Sequence, residues 1–161
     1  MGALLAAGVM GACSTVPKPA SDATPPEAGR WTVFDNGGQV DITGNGSYAI
    51  RANRSITVWY HGHDSQGLQK VSLATSVGWS CASGNLGQQV GPGLASPDVA
   101  TFAPDANNMV PVEGVRVTTV SGPYGCSSGF TFTGGSAALI GAATNWSNQT
   151  TTNTLNVSIA P

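Results

Sequence analysis

With 161 residues, the chain holds about one domain once a leader segment is set aside. Charged residues make up 9% of it, six Lys or Arg against eight Asp or Glu, for a net charge of −2. So few cations, scattered along the sequence, form no phosphate-neutralising face, which excludes nucleic acid as a partner and electrostatic attachment to anionic lipid. The 22 glycines, with abundant Ser, Thr and Asn, are the composition of a turn-rich β-protein.

Residues 3–9 form an apolar run far shorter than the roughly 20 residues a membrane-spanning helix needs. The run ends in Met10-Gly11-Ala12-Cys13. Small residues at the end of a short apolar stretch mark a secretory signal. With a cysteine directly after them, they resemble the lipobox of bacterial lipoproteins. That resemblance implies that residues 1–12 are a cleaved signal segment and that Cys13 carries a diacylglyceryl group as the new N-terminus. The implied contact with the membrane is then the lipid on Cys13. Met10 stands where the family usually has leucine, and no Lys or Arg precedes the run, so the translation start is expected upstream. The other reading makes residues 3–12 a buried strand or helix and Cys13 an ordinary core thiol.

Residues 14–29 carry four prolines and almost no large apolar group. Such a segment buries too little surface to offset its ordering entropy, so a disordered, Pro-rich tether is expected after the anchor. In an exported protein the remaining cysteines, Cys81 and Cys126, are expected to join. Their loop of about 45 residues corresponds to roughly 4 kcal/mol of chain entropy. Two free thiols, or half a metal site, are the alternative, but no Cys or His lies nearby at ligand spacing.

The folded region, residues 30–161, reads as short strands. Trp31 to Phe34 is the first, closed by Asp35-Asn36-Gly37-Gly38, and residues 39–43 follow. Asn-Gly supplies the positive φ angles of a tight hairpin. Gly44-Asn45-Gly46, with a second Asn-Gly, then turns the chain into Tyr48-Ala49-Ile50 as another hairpin. Residues 55–61 alternate, with Ile56, Val58 and Tyr60 on one face and Thr57, Trp59 and His61 on the other. Residues 70–77 alternate too, grouping Val71, Leu73 and Val77. Residues 82–97 are Gly-rich and aperiodic and read as a long loop; 98–102 is a short strand and 104–111 another loop. Residues 113–120 place Val115 and Val117 inward. Residues 130–133, 137–145 and 152–159 complete the domain, with Leu155, Val157 and Ile159 facing one way. No run has helical period with both caps. Roughly nine strands with regular turn signals predict an all-β sandwich of two antiparallel sheets.

Two segments, Asp64 to Leu73 and Ala142 to Asn145 with Leu155 to Ile159, resemble bacterial immunoglobulin-like and fibronectin-III-like modules. In those modules an Asp- and Gly-containing turn precedes a core strand, and a final hairpin closes the domain. The resemblance implies an immunoglobulin-like antiparallel β-sandwich and carries no functional residue, since fold alone does not imply function. The same resemblance implies that Trp79, two residues before Cys81, covers the disulfide as a tryptophan does in true immunoglobulin domains, though at a different spacing.

The chain has one cluster of metal-type ligands, His61-Gly62-His63-Asp64. His61 and His63 share a face of an extended strand, but a catalytic zinc site needs three protein ligands. With no other His, no Gly-x-Ser-x-Gly elbow and carboxylates mostly at turns, no catalytic residues, metal or cofactor are expected. The five sequons at Asn45, Asn53, Asn145, Asn148 and Asn156 follow from the abundance of Asn, Ser and Thr. Trp146 and Tyr124 lie in loops, where an aromatic side chain can anchor a partner.

The expected function is therefore that of a lipid-anchored surface lipoprotein with a non-catalytic binding or display domain. An envelope protein or glycan is the expected partner, met through the Gly-rich loops. The alternatives are a prophage-encoded superinfection-exclusion lipoprotein, acting on a phage component, and a metal-dependent enzyme at His61 and His63.

Overall fold

The computed structural model describes residues 14–122 and 124–161, so the expected signal segment and the expected lipidation at Cys13 lie outside the described residues. The described chain is all β. Its strands are β1 (Thr15–Pro17), β2 (Arg30–Asp35), β3 (Gly38–Thr43), β4 (Gly46–Arg51), β5 (Ile56–His63) and β6 (Leu68–Ser83). They continue with β7 (Leu86–Leu94), β8 (Asp98–Thr101), β9 (Met109–Pro111), β10 (Glu113–Val120), β11 (Thr131–Asn145) and β12 (Thr150–Ala160).

One sheet has the order β10-β5-β2-β3. The β2–β3 hairpin closes through Asn36 and Gly37, whose φ values of 49° and 84° are those a two-residue primed turn requires. The second sheet has the order β4-β12-β11-β6-β7, with β8 also paired to β6. A single core joins the two sheets. Trp31, Val33, Val58 and Tyr60 enter from the first sheet and Val71, Leu139, Leu155 and Val157 from the second, all fully buried. Close approach across the core depends on glycine: a Cβ at Gly141 of β11 would overlap the Tyr60 ring, and one at Gly62 of β5 would press on Ala143 and Val71. Burial pushes the Tyr60 hydroxyl up to about 12.

The structure corrects several sequence expectations. β4 does not form a hairpin with β3. The Gly44-Asn45 turn carries it across to the second sheet, where it pairs parallel to β12, and Asn45 Oδ1 accepts the Thr154 amide at 2.8 Å. The sheets are thus not wholly antiparallel. The expected loop at 82–97 contains β7, which extends β6 into a long hairpin around Gly84 and Asn85. Val115 and Val117 face outward: they lie opposite His61 and Trp59 on β5, and Val117 is 47% exposed. Period-two alternation leaves the phase open, and β10 takes the phase that buries Val120 and fits Gly114 against Phe102 and Val71.

The largest correction concerns residues 14–29, which are not a free tether. β1 pairs antiparallel with β9, and the Val112 amide donates to the Ser14 carbonyl at 3.0 Å. Further along, Asp22 is 3% exposed, and Pro26 and Gly29 are buried. With few apolar groups to bury besides Pro26 and Val16, this strap gains its order chiefly from polar contacts.

Candidate binding surfaces

Three places gather polar side chains. The first is the strap's seat at the end of the sandwich that holds the β5–β6 and β11–β12 turns. Asn145, fully buried, donates through Nδ2 to Asp22 Oδ2 at 3.0 Å and to the Thr24 carbonyl at 2.8 Å. Its Oδ1 accepts the Ser147 and Gln149 amides, each at 3.0 Å, which builds the β11–β12 turn. The Asn145 sequon is therefore committed to structure. The Asp22 amide donates to Ser147 Oγ at 2.8 Å, and Lys18 Nζ lies 4.6 Å from the Trp146 ring centre. Asp64 opens the β5–β6 turn by accepting the Gln66 amide at 2.8 Å, while its Oδ2 is buried without a partner. Burial, with the Asp22 and Glu27 charges nearby, raises the Asp64 carboxyl above its ordinary range.

The second is the outer face of the first sheet, where alternation on β5 brings Trp59, His61 and His63 to the surface. His61 Nδ1 meets Glu113 Oε1 at 2.8 Å, whereas His63 Nδ1 meets Glu27 Oε2 at 3.0 Å. The two imidazoles are neighbours on one face, but each is engaged by a different carboxylate. Among the described residues, no three His, Cys, Asp or Glu side chains come together as metal ligands. Glu27 is held below its ordinary range: burial opposes this, but its own backbone amide and His63 outweigh it. Beside His61, the Thr32 hydroxyl donates to Asp41 Oδ1 at 2.7 Å and Arg30 Nη1 meets Asp41 Oδ2 at 3.4 Å. The Thr32 hydroxyl leads the causes that lower the Asp41 carboxyl. Trp59 packs against Phe34 at a centroid distance of 5.3 Å and remains 39% exposed. The face offers an aromatic step beside ordered hydrogen-bonding groups.

The third is an open groove of about 500 Å³ on the outer face of the second sheet, lined by Gly78, Trp79, Gly91, Pro92, Gly135 and Ser136 among others. Two register slips create it, one between Val77 and Trp79 on β6 and one between Phe132 and Gly134 on β11. Gly91 at φ 80° fits the first slip and Gly134 at φ 150° the second. A Cβ on Gly135 would stand 2.8 Å from the Gly78 carbonyl oxygen, so backbone forms the floor. Cys81 and Cys126 are joined here, with Cα atoms 6.0 Å apart, tying β6 to the connection before β11. Trp79 packs on Tyr124 at 5.4 Å and donates through Nε1 to the Gly125 carbonyl at 2.8 Å. Tyr124, 9% exposed, in turn stacks on Phe132. Tyr124 is thus part of this cap, and Trp146 is covered by Lys18. The strap's seat and the groove both escaped sequence reasoning. Their contacts join residues more than 120 apart at the seat, and at the groove they depend on slips in pairing that leave no local pattern.

No family model and no curated protein matches the sequence. Among solved structures, the chain is similar to Spo0M, a sporulation control protein from Bacillus subtilis, at a TM-score of 0.40 and 9% identity. The match covers 83% of this chain and 50% of that one.

Proposed function

We propose that the chain is an exported lipoprotein, held at the outer face of the cell membrane or in the cell envelope by a lipid on Cys13, whose immunoglobulin-like β-sandwich is a non-catalytic binding or display domain. The observation that carries the reading is the partition of the cysteines. Cys81 and Cys126 pair with each other, and the third cysteine is the one that follows Met10-Gly11-Ala12. A disulfide fits an oxidising compartment. The immunoglobulin-like assignment is supported by two sheets over one core, although this disulfide links β6 to the β10–β11 connection, whereas antibody domains join the two sheets. The engagement of His61 and His63 by separate carboxylates favours a binding role over a metal-dependent one.

The groove by Gly78 and Ser136 is the binding surface within this proposal, because the disulfide and the aromatic cap hold its walls in place. Mass spectrometry of membrane fractions from cells producing wild type or Cys13→Ala tests the anchor. A diacylglyceryl mass on a chain beginning at Cys13, absent from the variant, is the expected result. An intact, unlipidated chain in both would end the reading. Ser136→Trp fills the groove from an exposed position and is expected to abolish saturable binding to envelope material without changing stability.

A further inference from the structure

Resting on that reading, the strap leaves no slack between the lipid and the folded domain. Ser14, the residue after Cys13, already accepts the Val112 amide, and Thr15 to Pro17 are paired with β9. The β1–β9 ribbon lies against the β5–β6 turn: Val110 is fully buried, and a Cβ on Gly67 would press on Val110 and lie 3.4 Å from Val16 Cγ2. From that turn β6 runs the length of the molecule to the β6–β7 turn at Gly84 and Asn85, and β11 returns from the disulfide end to Asn145. The turn at 64–67 and the turn at 84–85 therefore mark opposite ends of the domain.

We infer that the domain is seated on the bilayer in one orientation. The β1–β9 ribbon and the β5–β6 turn face the headgroups, and the disulfide-tied end with its groove points away. The occupant of this end is the lipid surface, identified by where the described chain meets Cys13. A flexible tether of this length would have let the domain tumble, whereas one residue of separation places the ribbon end against the acylated leaflet. Charge plays no part in the seat. Lys18 is exposed at that end alongside Glu27 and Asp105, so anionic headgroups gain no net attraction there. The orientation is accordingly independent of salt.

The test uses the lipidated protein in phosphatidylcholine vesicles carrying an energy-transfer acceptor on the headgroups. A donor dye is attached at Ser65→Cys in one sample and at Asn85→Cys in another, both exposed turn positions. The 16 residues of β6 separate them by about 50 Å at roughly 3.3 Å per residue. With an acceptor whose transfer distance matches that length, transfer from position 65 is expected to be at least twice that from position 85, unchanged by salt. A Gly/Ser insert of about 12 residues between Cys13 and Ser14, spanning about 20 Å, is expected to lower transfer from position 65 and narrow the difference. Equal transfer from both positions, with the lipid mass present on Cys13, overturns the orientation and leaves the anchor standing. Absence of the lipid overturns both.

Discussion

Removing the Asp22 side chain tests whether polar contacts hold the strap. Asp22 is 3% exposed, and its carboxylate accepts the Asn145 Nδ2 at 3.0 Å, the Thr24 amide at 3.0 Å and the Thr24 hydroxyl at 2.9 Å. Asp22→Ala removes all three bonds and leaves Asn145 Nδ2 with the Thr24 carbonyl and Gln149 Oε1 as acceptors. Buried bonds to a charged group contribute about 1.5–3 kcal/mol each, but freeing the carboxylate from burial offsets part of that, so the net loss is about 2–4 kcal/mol. Two readouts apply. The urea midpoint is expected to fall by that free energy at constant slope. Hydrogen exchange is expected to quicken at the Lys18 amide, bonded to the Asn108 carbonyl, and at the Glu27 amide, bonded to the His63 carbonyl. Asn145→Ala is expected to cost more, because it also dismantles the β11–β12 turn. The cycle combining the two variants is expected to show a coupling of about 1.5–3 kcal/mol. Unchanged midpoint and unchanged exchange in Asp22→Ala would refute the polar seat, since a strap held by its prolines and β1 alone would not respond.

Cys81→Ala combined with Cys126→Ala is expected to lose about 4 kcal/mol, from the 45-residue separation of the bridge, and reduced wild type is expected to match it in denaturant titration. A loss below about 1 kcal/mol would mean that Trp79, Tyr124 and Phe132 close that end unaided. Gly141→Ala puts a methyl into the Tyr60 ring and is expected to cost about 1–3 kcal/mol by overpacking, with partial recovery when Tyr60 is also replaced by Leu. A neutral Gly141→Ala would contradict the close approach of the sheets. For Asp64 the folded carboxyl is raised, so its contribution favours the fold at low pH and is lost as pH rises through the folded value. Asp64→Asn keeps the acceptor for the Gln66 amide and removes the buried charge, so its melting temperature is expected to equal or exceed wild type at pH 7 and to lose that advantage below pH 4. A large drop at pH 7 would show that the ionised carboxylate is needed.

Where sequence spacing alone decides a contact, the chain was readable. The Asn36-Gly37 hairpin, the inward set Ile56, Val58 and Tyr60, and the final row Leu155, Val157 and Ile159 all lie where alternation and turn chemistry put them. Reading stopped where a partner decides between two equal local choices. The phase of β10 depends on β5, the destination of β4 depends on β12, and β7 is a strand because β6 offers it an edge. Residues 82–97 have no period to detect, since Gly and Ser on a sheet surface carry no hydropathy contrast. The strap failed for a different reason. Few apolar residues do not preclude order where polar groups are paired: Asp22, Thr24 and Glu27 find partners at Asn145, Gln66 and His63. On the outer sheet face, the spacing of His61 and His63 gave their common side but not their carboxylates, which come from Glu113 and from Glu27 in the strap.

The two ends of the sandwich are closed by different means, and this bears on how the domain opens. The disulfide and the packed rings of Trp79, Tyr124 and Phe132 close the end that bears the groove. The opposite end is closed by a strap without a covalent bond, held by hydrogen bonds that span up to 126 residues of sequence. Such contacts form late, after the sheets that supply both sides of the seat, because loop closure must precede them. They are also the first to open at the β1–β9 ribbon, whose amides are protected by a few bonds near solvent, whereas the Gly29 amide is buried on Asn153 Oδ1 against the core. Partial opening therefore begins at the ribbon end and leaves the groove intact.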